Sequence, residues 1–139
     1  MDVKVTWNNK LSFTGIGESS FTLPLDAEES VGGENSGFRP MELIAIGLAG
    51  CTAMDTISIL KKKQQDVTGF EVKVHALREV EFPKAFTQIT LEYILEGHSI
   101  DPIAVERSIE LSATKYCPAQ AMLSKACKID HIYTIKDAG

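Results

Sequence analysis

Three cysteines are the residues of this sequence whose chemistry could extend beyond packing: Cys51, Cys117 and Cys127. An odd number of cysteines in a chain of 139 residues is not the pattern of a small secreted domain held together by disulfides. We therefore expect reduced thiols, and the surroundings of each one decide whether it reacts or packs.

Cys51 lies within a long apolar segment that is typical of a buried helix. A free cysteine is among the residues most often buried, and it packs as a small hydrophobic side chain. Asp55, one helical turn later, disfavours a neighbouring thiolate by like-charge repulsion unless a cation neutralises it. Taken alone, these features favour packing for Cys51.

Cys117 directly precedes Pro118, and proline is well suited to the first position of a helix. Cys117 is therefore predicted to be the N-cap, where unpaired backbone N–H groups and the helix dipole lower the pKa of a thiol. A redox or nucleophilic role and a simple helix start are equally compatible with this position.

Cys127 and His131 are separated by three residues and could in principle join the other thiols around a metal ion. No Cys-x-x-Cys pair is present, however, and His131 falls in a predicted strand. We therefore expect no metal site and assign Cys127 to packing. The sequence also has no phosphate-binding loop, dinucleotide fingerprint or nucleophile elbow, so we expect no cofactor.

Hydrophobic periodicity predicts an α+β fold that forms one domain over residues 1–139. The predicted elements are three strands within residues 3–25, a long helix over 41–60, two strands at 67–81 and 87–95, two helices at 102–114 and 118–128, and a final strand at 129–135. This order must bring Cys51 and Cys117 together from different helices if the two are to act as a pair.

The long helix carries only two charged side chains, Glu42 and Asp55, and is therefore expected to be buried nearly all round. Small side chains recur at every fourth position and allow a sheet or another helix to approach closely, namely Ala45, Ala49 and Ala53. Residues 31–37, which precede the helix, contain three glycines and are predicted to form a flexible loop at the rim of a site.

The charge balance excludes several classes of partner. The chain has 14 Lys+Arg against 19 Asp+Glu and a net charge of −5, which disfavours nucleic acid and anionic membranes. The longest uncharged apolar stretch covers only residues 43–54, whereas a membrane span needs about 20 residues. The N-terminus lacks the basic and apolar pattern of a signal peptide. We expect a cytoplasmic protein without a membrane partner.

Two segments together resemble the OsmC/Ohr family, which comprises osmotically inducible protein C and the organic hydroperoxide resistance proteins. One segment is Arg-Pro-Met-Glu-Leu at residues 39–43, followed by Gly-Leu-Ala-Gly-Cys-Thr at 47–52. The other is Tyr-Cys-Pro at residues 116–118. The resemblance extends to the order of elements along the whole chain and is closest to the OsmC-like branch.

This resemblance implies an OsmC-like fold in an intertwined homodimer, with the active site at the subunit interface. It also implies that Cys51 attacks an organic hydroperoxide and becomes a sulfenic acid, with which Cys117 condenses to a disulfide. In the family an external dithiol of the lipoyl type then reduces this disulfide. The implied function is a peroxidase in oxidative-stress defence.

The chain differs from the family's peroxidases at the charged positions. Those proteins carry an arginine in the N-terminal strand region and a glutamate directly after the proline. Here Met41 occupies the glutamate position, and the acid is Glu42, which lies about 100° further around the helix. No arginine precedes Arg39, so Arg39 or Arg78 is the candidate cation for ionising Cys51. Arg39 and Glu42 complete the candidate site.

Two other interpretations of the same residues stay open. In one, the protein is a non-enzymatic OsmC-like protein that binds a small apolar or thiol-reactive ligand at the dimer interface. In the other, the protein is a structural dimer with packed thiols, and Cys51 is then inert to alkylation in the folded state.

Overall fold

The computed structural model describes residues 1–139 and confirms the α+β class, with two three-stranded sheets and one long helix. The elements occur in the predicted order: β1 Lys4–Asn9, β2 Ser12–Ile16, β3 Thr22–Leu25, α1 Pro40–Lys62, β4 Asp66–Arg78, β5 Phe86–His98, α2 Pro102–Leu111, α3 Pro118–Leu123 and β6 Lys128–Asp137. The chain divides into two compact units, residues 1–44 and 45–139. One domain that spans both units stays a prediction.

The first unit is built on an antiparallel sheet in which β2 lies between β1 and β3. Alternating apolar residues in β1 predict one buried strand face. In the single chain, however, β1 is exposed along its whole length, including the apolar side chains of Val5 and Trp7. This strand therefore presents apolar surface that the single chain leaves uncovered.

The segment between β3 and α1 is held in place by Asp26, which is buried. Its carboxylate accepts hydrogen bonds from three backbone N–H groups, those of Ala27 at 2.7 Å, Glu34 at 3.2 Å and Ser36 at 3.2 Å. The Ser36 hydroxyl donates a fourth bond at 2.5 Å and is the main reason that the pKa of Asp26 falls to about 2. The glycine-rich segment predicted to be flexible is thus tied to a buried carboxylate.

The second unit is organised around β5, the middle strand of its sheet. This strand runs antiparallel to β4 and parallel to β6. One face of β5 is completely buried, as expected for a strand covered by helices, and it contributes Ile89, Leu91, Tyr93 and Leu95. These residues form the core together with apolar side chains of α1 and α2.

Helix α1 buries one face, formed by Leu48, Thr52, Thr56 and Leu60 at intervals of four residues. Two of these four residues are polar, whereas large apolar side chains elsewhere on the helix remain exposed, with Ile46 at 52% and Met54 at 73%. The all-round burial predicted for this helix is therefore not reached within one chain.

The same helix is long and apolar enough to cross a membrane by length and composition, and 22% of its most apolar window is buried. The uncharged stretch of residues 43–54 understates its length because Glu42 and Asp55 both lie within the helix. Core helices of soluble proteins pass the same test of length and composition, although they are mostly buried. The buried face of α1 contributes Leu48 and Leu60 to the core of the second unit.

The chain after β5 forms two helical runs, of which the second is shorter than predicted. Helix α2 ends at Leu111 and continues into a π turn over Ser112–Tyr116, which is closed by a 2.9 Å bond from the Cys117 N–H to the Ser112 carbonyl. Helix α3 ends at Leu123, because the chain must turn before β6 begins at Lys128. The predicted end at residue 114 falls within the first helical run, whereas the predicted end of α3 at residue 128 is wrong.

Candidate active site

The sulfur atoms of Cys51 and Cys117 lie within 4.8 Å of each other. Cys51 is carried by α1 and Cys117 immediately precedes α3, and both belong to the second unit. Because a disulfide places its sulfurs about 2.05 Å apart, a side-chain movement of less than about 3 Å would join them. Cys127 lies outside this pair, and its thiol contacts the Leu123 carbonyl at 3.8 Å.

Cys117 is the N-cap of α3, as predicted, with φ −83° and ψ 106°. Its sulfur accepts a hydrogen bond from the Gln120 N–H at 3.4 Å, and the residue is only 2% exposed. Burial, followed by the interaction with the Cys51 thiol, raises the pKa of Cys117 to about 11. The predicted lowering is wrong, because burial outweighs the helix terminus. Cys117 is therefore a neutral thiol near pH 7.

Asp55 is the third member of this cluster, with a carboxylate oxygen within 4.8 Å of both sulfurs. The Ser112 hydroxyl donates a hydrogen bond to this carboxylate at 3.0 Å. Within residues 45–139, no lysine or arginine forms an ion pair with Asp55. Asp55 also borders a cleft of about 370 Å³ that is lined by Ser58, Ile59, Lys62, Lys63, Leu111 and Tyr116.

Thr52 is the centre of a buried network of hydrogen bonds beside the cluster. Its hydroxyl lies 2.8 Å from the Ser112 hydroxyl and 2.9 Å from the Tyr93 hydroxyl. The Gln120 side chain donates a further bond to it at 3.0 Å. The bond from Ser112 to Asp55 therefore connects the carboxylate to the interior of the protein, and each partner limits the rotation of its neighbours.

His131 closes the other end of this network. Its Nε2 atom lies 2.8 Å from the Gln120 side-chain oxygen, and its ring stacks on Tyr93 with 6.0 Å between centroids. Burial lowers the pKa of His131 and raises the pKa of Tyr93 to about 12, so both favour the neutral form near pH 7. Cys127 packs against the core of the second unit, as its assignment to packing predicted, and His131 hydrogen-bonds to Gln120.

Sequence reasoning missed most of this network. Strand β5, the π turn after α2 and helix α3 supply Tyr93, Ser112 and Gln120, and no local motif links them across the chain. One signal was available, because α1 carries the polar residues Thr52 and Asp55 within a largely apolar run. Polar side chains so placed on an apolar helix indicate a buried hydrogen-bonded cluster.

Arg39 and Glu42 have partners within the first unit. The Glu42 carboxylate accepts a bond from the Arg39 N–H at 2.9 Å, which caps the start of α1. The Arg39 guanidinium donates to the Gly37 carbonyl at 3.0 Å and to the Asn35 side chain. Arg78 donates to the Lys84 carbonyl at 2.8 Å in the second unit. A catalytic role for Arg39 or Glu42 stays a prediction.

A long helix that brings one cysteine against a second, helix-capping cysteine on an α+β framework defines a class of two-thiol proteins. The family model described as OsmC-like protein matches residues 33–132, which include both thiols. The chain therefore belongs to the OsmC-like family.

Several known proteins share most of their length with this chain. Protein YhfA of Escherichia coli K12 is 38% identical over 138 residues, which cover 97% of this chain and 98% of YhfA. The OsmC like protein of Mycoplasma pneumoniae has a TM-score of 0.82 at 20% identity, with 97% and 96% coverage. The organic hydroperoxide resistance protein OhrB of Bacillus subtilis has a TM-score of 0.62 at 14% identity, with 96% and 98% coverage. The last two show the shared fold.

Proposed function

We propose that this protein is a thiol-dependent peroxidase of organic hydroperoxides, with Cys51 as the nucleophile and Cys117 as the resolving thiol. The observation that carries the proposal is the approach of the two sulfurs to within 4.8 Å. Membership of the OsmC-like family supports it, as does the fold shared with OhrB, which is named an organic hydroperoxide resistance protein.

The proposed reaction oxidises the thiol pair by two electrons. The Cys51 sulfur attacks an oxygen of the hydroperoxide, the O–O bond breaks, and the thiol proton ends on the departing alkoxide. The products are an alcohol and a Cys51 sulfenic acid. The Cys117 sulfur then attacks the sulfenic sulfur, and the Cys117 proton leaves in a molecule of water as the disulfide forms. An external dithiol reduces the disulfide by two exchange steps and becomes a disulfide itself.

A homodimer is part of this proposal. Large apolar side chains are exposed on the single chain, both on α1, at Ile46 and Met54, and on β1, at Val5 and Trp7. A second copy would remove this surface from water, which favours association in proportion to the apolar area covered. Light scattering on a size-exclusion column should give twice the chain mass of 15.2 kDa. A monomeric mass at micromolar concentration would contradict this part of the proposal.

The activity is tested by steady-state turnover of tert-butyl hydroperoxide with a dithiol reductant. We expect turnover by the wild-type protein and by Cys127→Ser, since Cys127 lies outside the thiol pair. We expect Cys51→Ser to lose activity by at least about three orders of magnitude, as for removal of a nucleophile in other enzymes. Equal activity of Cys51→Ser and the wild type, or no activity in either, would refute the proposal.

A second candidate function is the non-enzymatic binding of a small apolar ligand. One observation favours it, since the first unit contains a cavity of about 500 Å³ lined by Val5, Leu11, Phe13, Leu25, Asp26, Ala27 and Pro40. Binding of a fluorescent apolar probe that persists in Cys51→Ser, without hydroperoxide turnover by the wild type, would support this candidate over the peroxidase.

A further inference from the structure

Two thiols and one carboxylate converge in the second unit, where ligand atoms of Cys51, Cys117 and Asp55 all lie within 4.8 Å of one another. We propose that these three side chains bind one thiophilic divalent cation, with zinc as the best match, when both cysteines are reduced. This site goes beyond the proposed peroxidase function and does not depend on it.

The separations suit a tetrahedral metal. Zinc takes Cys sulfur at about 2.3 Å and carboxylate oxygen at about 2.0–2.2 Å, which places neighbouring ligand atoms about 3.5–3.8 Å apart. The three atoms here lie within 4.8 Å of one another, so closure needs shifts of about 1 Å or less. The fourth position is left for water, and Asp55 borders a cleft of about 370 Å³.

Two of the three candidate ligands, Asp55 and Cys117, are held by hydrogen bonds from neighbouring residues. The Ser112 hydroxyl donates to the Asp55 carboxylate at 3.0 Å, and the Gln120 N–H donates to the Cys117 sulfur at 3.4 Å. The Thr52 hydroxyl in turn lies 2.8 Å from the Ser112 hydroxyl. Such outer partners orient metal ligands and raise metal affinity, and here they belong to the buried network.

Charge balance also favours a cation at this place. Coordinated thiols lose their protons, so the bound cluster would contain two thiolates and one carboxylate. Lys62 and Lys63 line the cleft at Asp55, but no lysine or arginine of residues 45–139 forms an ion pair with it to offset this charge. A divalent cation supplies the missing positive charge, and soft thiolates select zinc-like metals over magnesium or calcium.

Metal binding and oxidation would exclude each other at this site. When a hydroperoxide oxidises the two thiolates, two protons are taken up, the alcohol and water leave, and the S–S bond forms. The disulfide retains only Asp55 as an anionic ligand, so the cation is released. Conversely, a bound cation engages both sulfurs and protects them from electrophiles.

The proposal is tested on the reduced full-length protein without hydroperoxide, by titration with zinc and with cobalt. We expect one metal per chain and a sulfur-to-cobalt charge-transfer band in both the wild type and Cys127→Ser. We expect zinc affinity to fall at least about 10-fold in Asp55→Asn and further in Cys51→Ser. Circular dichroism of each variant establishes that it is folded.

Protection from alkylation gives a second readout that needs no variant. Zinc should slow iodoacetamide labelling of Cys51 and leave labelling of Cys127 unchanged. Equal zinc affinity in the wild type, Asp55→Asn and Cys51→Ser would overturn the metal site, as would unchanged labelling of Cys51. Zinc binding in a protein that lacks hydroperoxide turnover would refute the peroxidase alone, and turnover without zinc binding would refute the metal site alone.

Discussion

Asp26 and Asp55 are two carboxylates that the same chain uses in different ways. Asp26 accepts three backbone N–H bonds and one hydroxyl bond, and these bonds hold its pKa near 2. Asp55 accepts a single side-chain bond, from Ser112, and lies beside two thiols. One carboxylate is saturated with donors, whereas the other keeps acceptor capacity next to reactive groups.

The difference indicates which acidic site does chemistry. A carboxylate whose lone pairs already accept hydrogen bonds from the backbone stabilises its loop. It has few free lone pairs with which to bind a substrate or a metal. A carboxylate with free lone pairs next to two thiols can bind a cation or influence sulfur chemistry. We therefore assign Asp26 to the structure of the first unit and keep Asp55 in the metal site proposed for the second.

The largest effect is expected at the thiol pair itself. Cys117→Ser removes the resolving thiol, so Cys51 should stop as a sulfenic acid and multiple turnover should fall at least about 100-fold. One equivalent of hydroperoxide should still be consumed, and dimedone should label Cys51. Full multiple turnover by Cys117→Ser would show that Cys117 is not needed as the resolving thiol. The second unit would then lose one of the two thiols that distinguish it from the first.

Exchanging each carboxylate for the amide compares the two regions directly. Asp26→Asn places an NH2 group among backbone donors, so it should lower the free energy of unfolding more than Asp55→Asn does. Asp55→Asn should instead reduce zinc affinity, which Asp26→Asn should leave unchanged. Urea denaturation and zinc titration of both variants provide the measurement, and the reverse ranking in either experiment would contradict the assignment.

Acid should destabilise the protein through Asp26. The pKa of this group is lowered from 3.8 to about 2. Its contribution to the free energy of unfolding is therefore present above about pH 4 and is lost as the pH falls toward 2. The free energy of unfolding of Asp26→Asn should therefore depend less on pH between 4 and 2 than that of the wild type. Identical slopes would show that Asp26 does not carry this dependence.

Alkali should destabilise the protein through Cys117, which belongs to the second unit. Its pKa is raised from 9.0 to about 11, so the unfolded chain loses this proton first as the pH rises. The free energy of unfolding should fall between pH 9 and pH 11, and Cys117→Ala should show a smaller fall. Cys127→Ala is the matched control and should retain the wild-type slope.

The sequence predicted the framework better than the site. Alternating apolar residues located the strands and an almost uncharged apolar run located α1, because these patterns are local in the sequence. The end of α3 at Leu123 was missed, since it depends on where β6 must begin. The pairing of Cys51 with Cys117 came from the family resemblance. The place of Asp55 in the cluster, in contrast, depends on contacts between distant segments that spacing does not encode.

The pKa of Cys117 is another property that local sequence patterns do not determine. Its N-cap position follows from Pro118 and is confirmed. The sign of the pKa shift was nevertheless wrong, because the burial of a side chain is a property of the packed structure and outweighs the local helix terminus.

The most direct test of the central claim is peptide mapping under non-reducing conditions after one equivalent of an alkyl hydroperoxide. We expect a single new disulfide, between Cys51 and Cys117, with Cys127 still free and open to alkylation. The same disulfide should disappear on addition of a dithiol. A protein whose three thiols all remain reduced, or whose new disulfide contains Cys127, would contradict the assignment of Cys51 and Cys117 as the reactive pair.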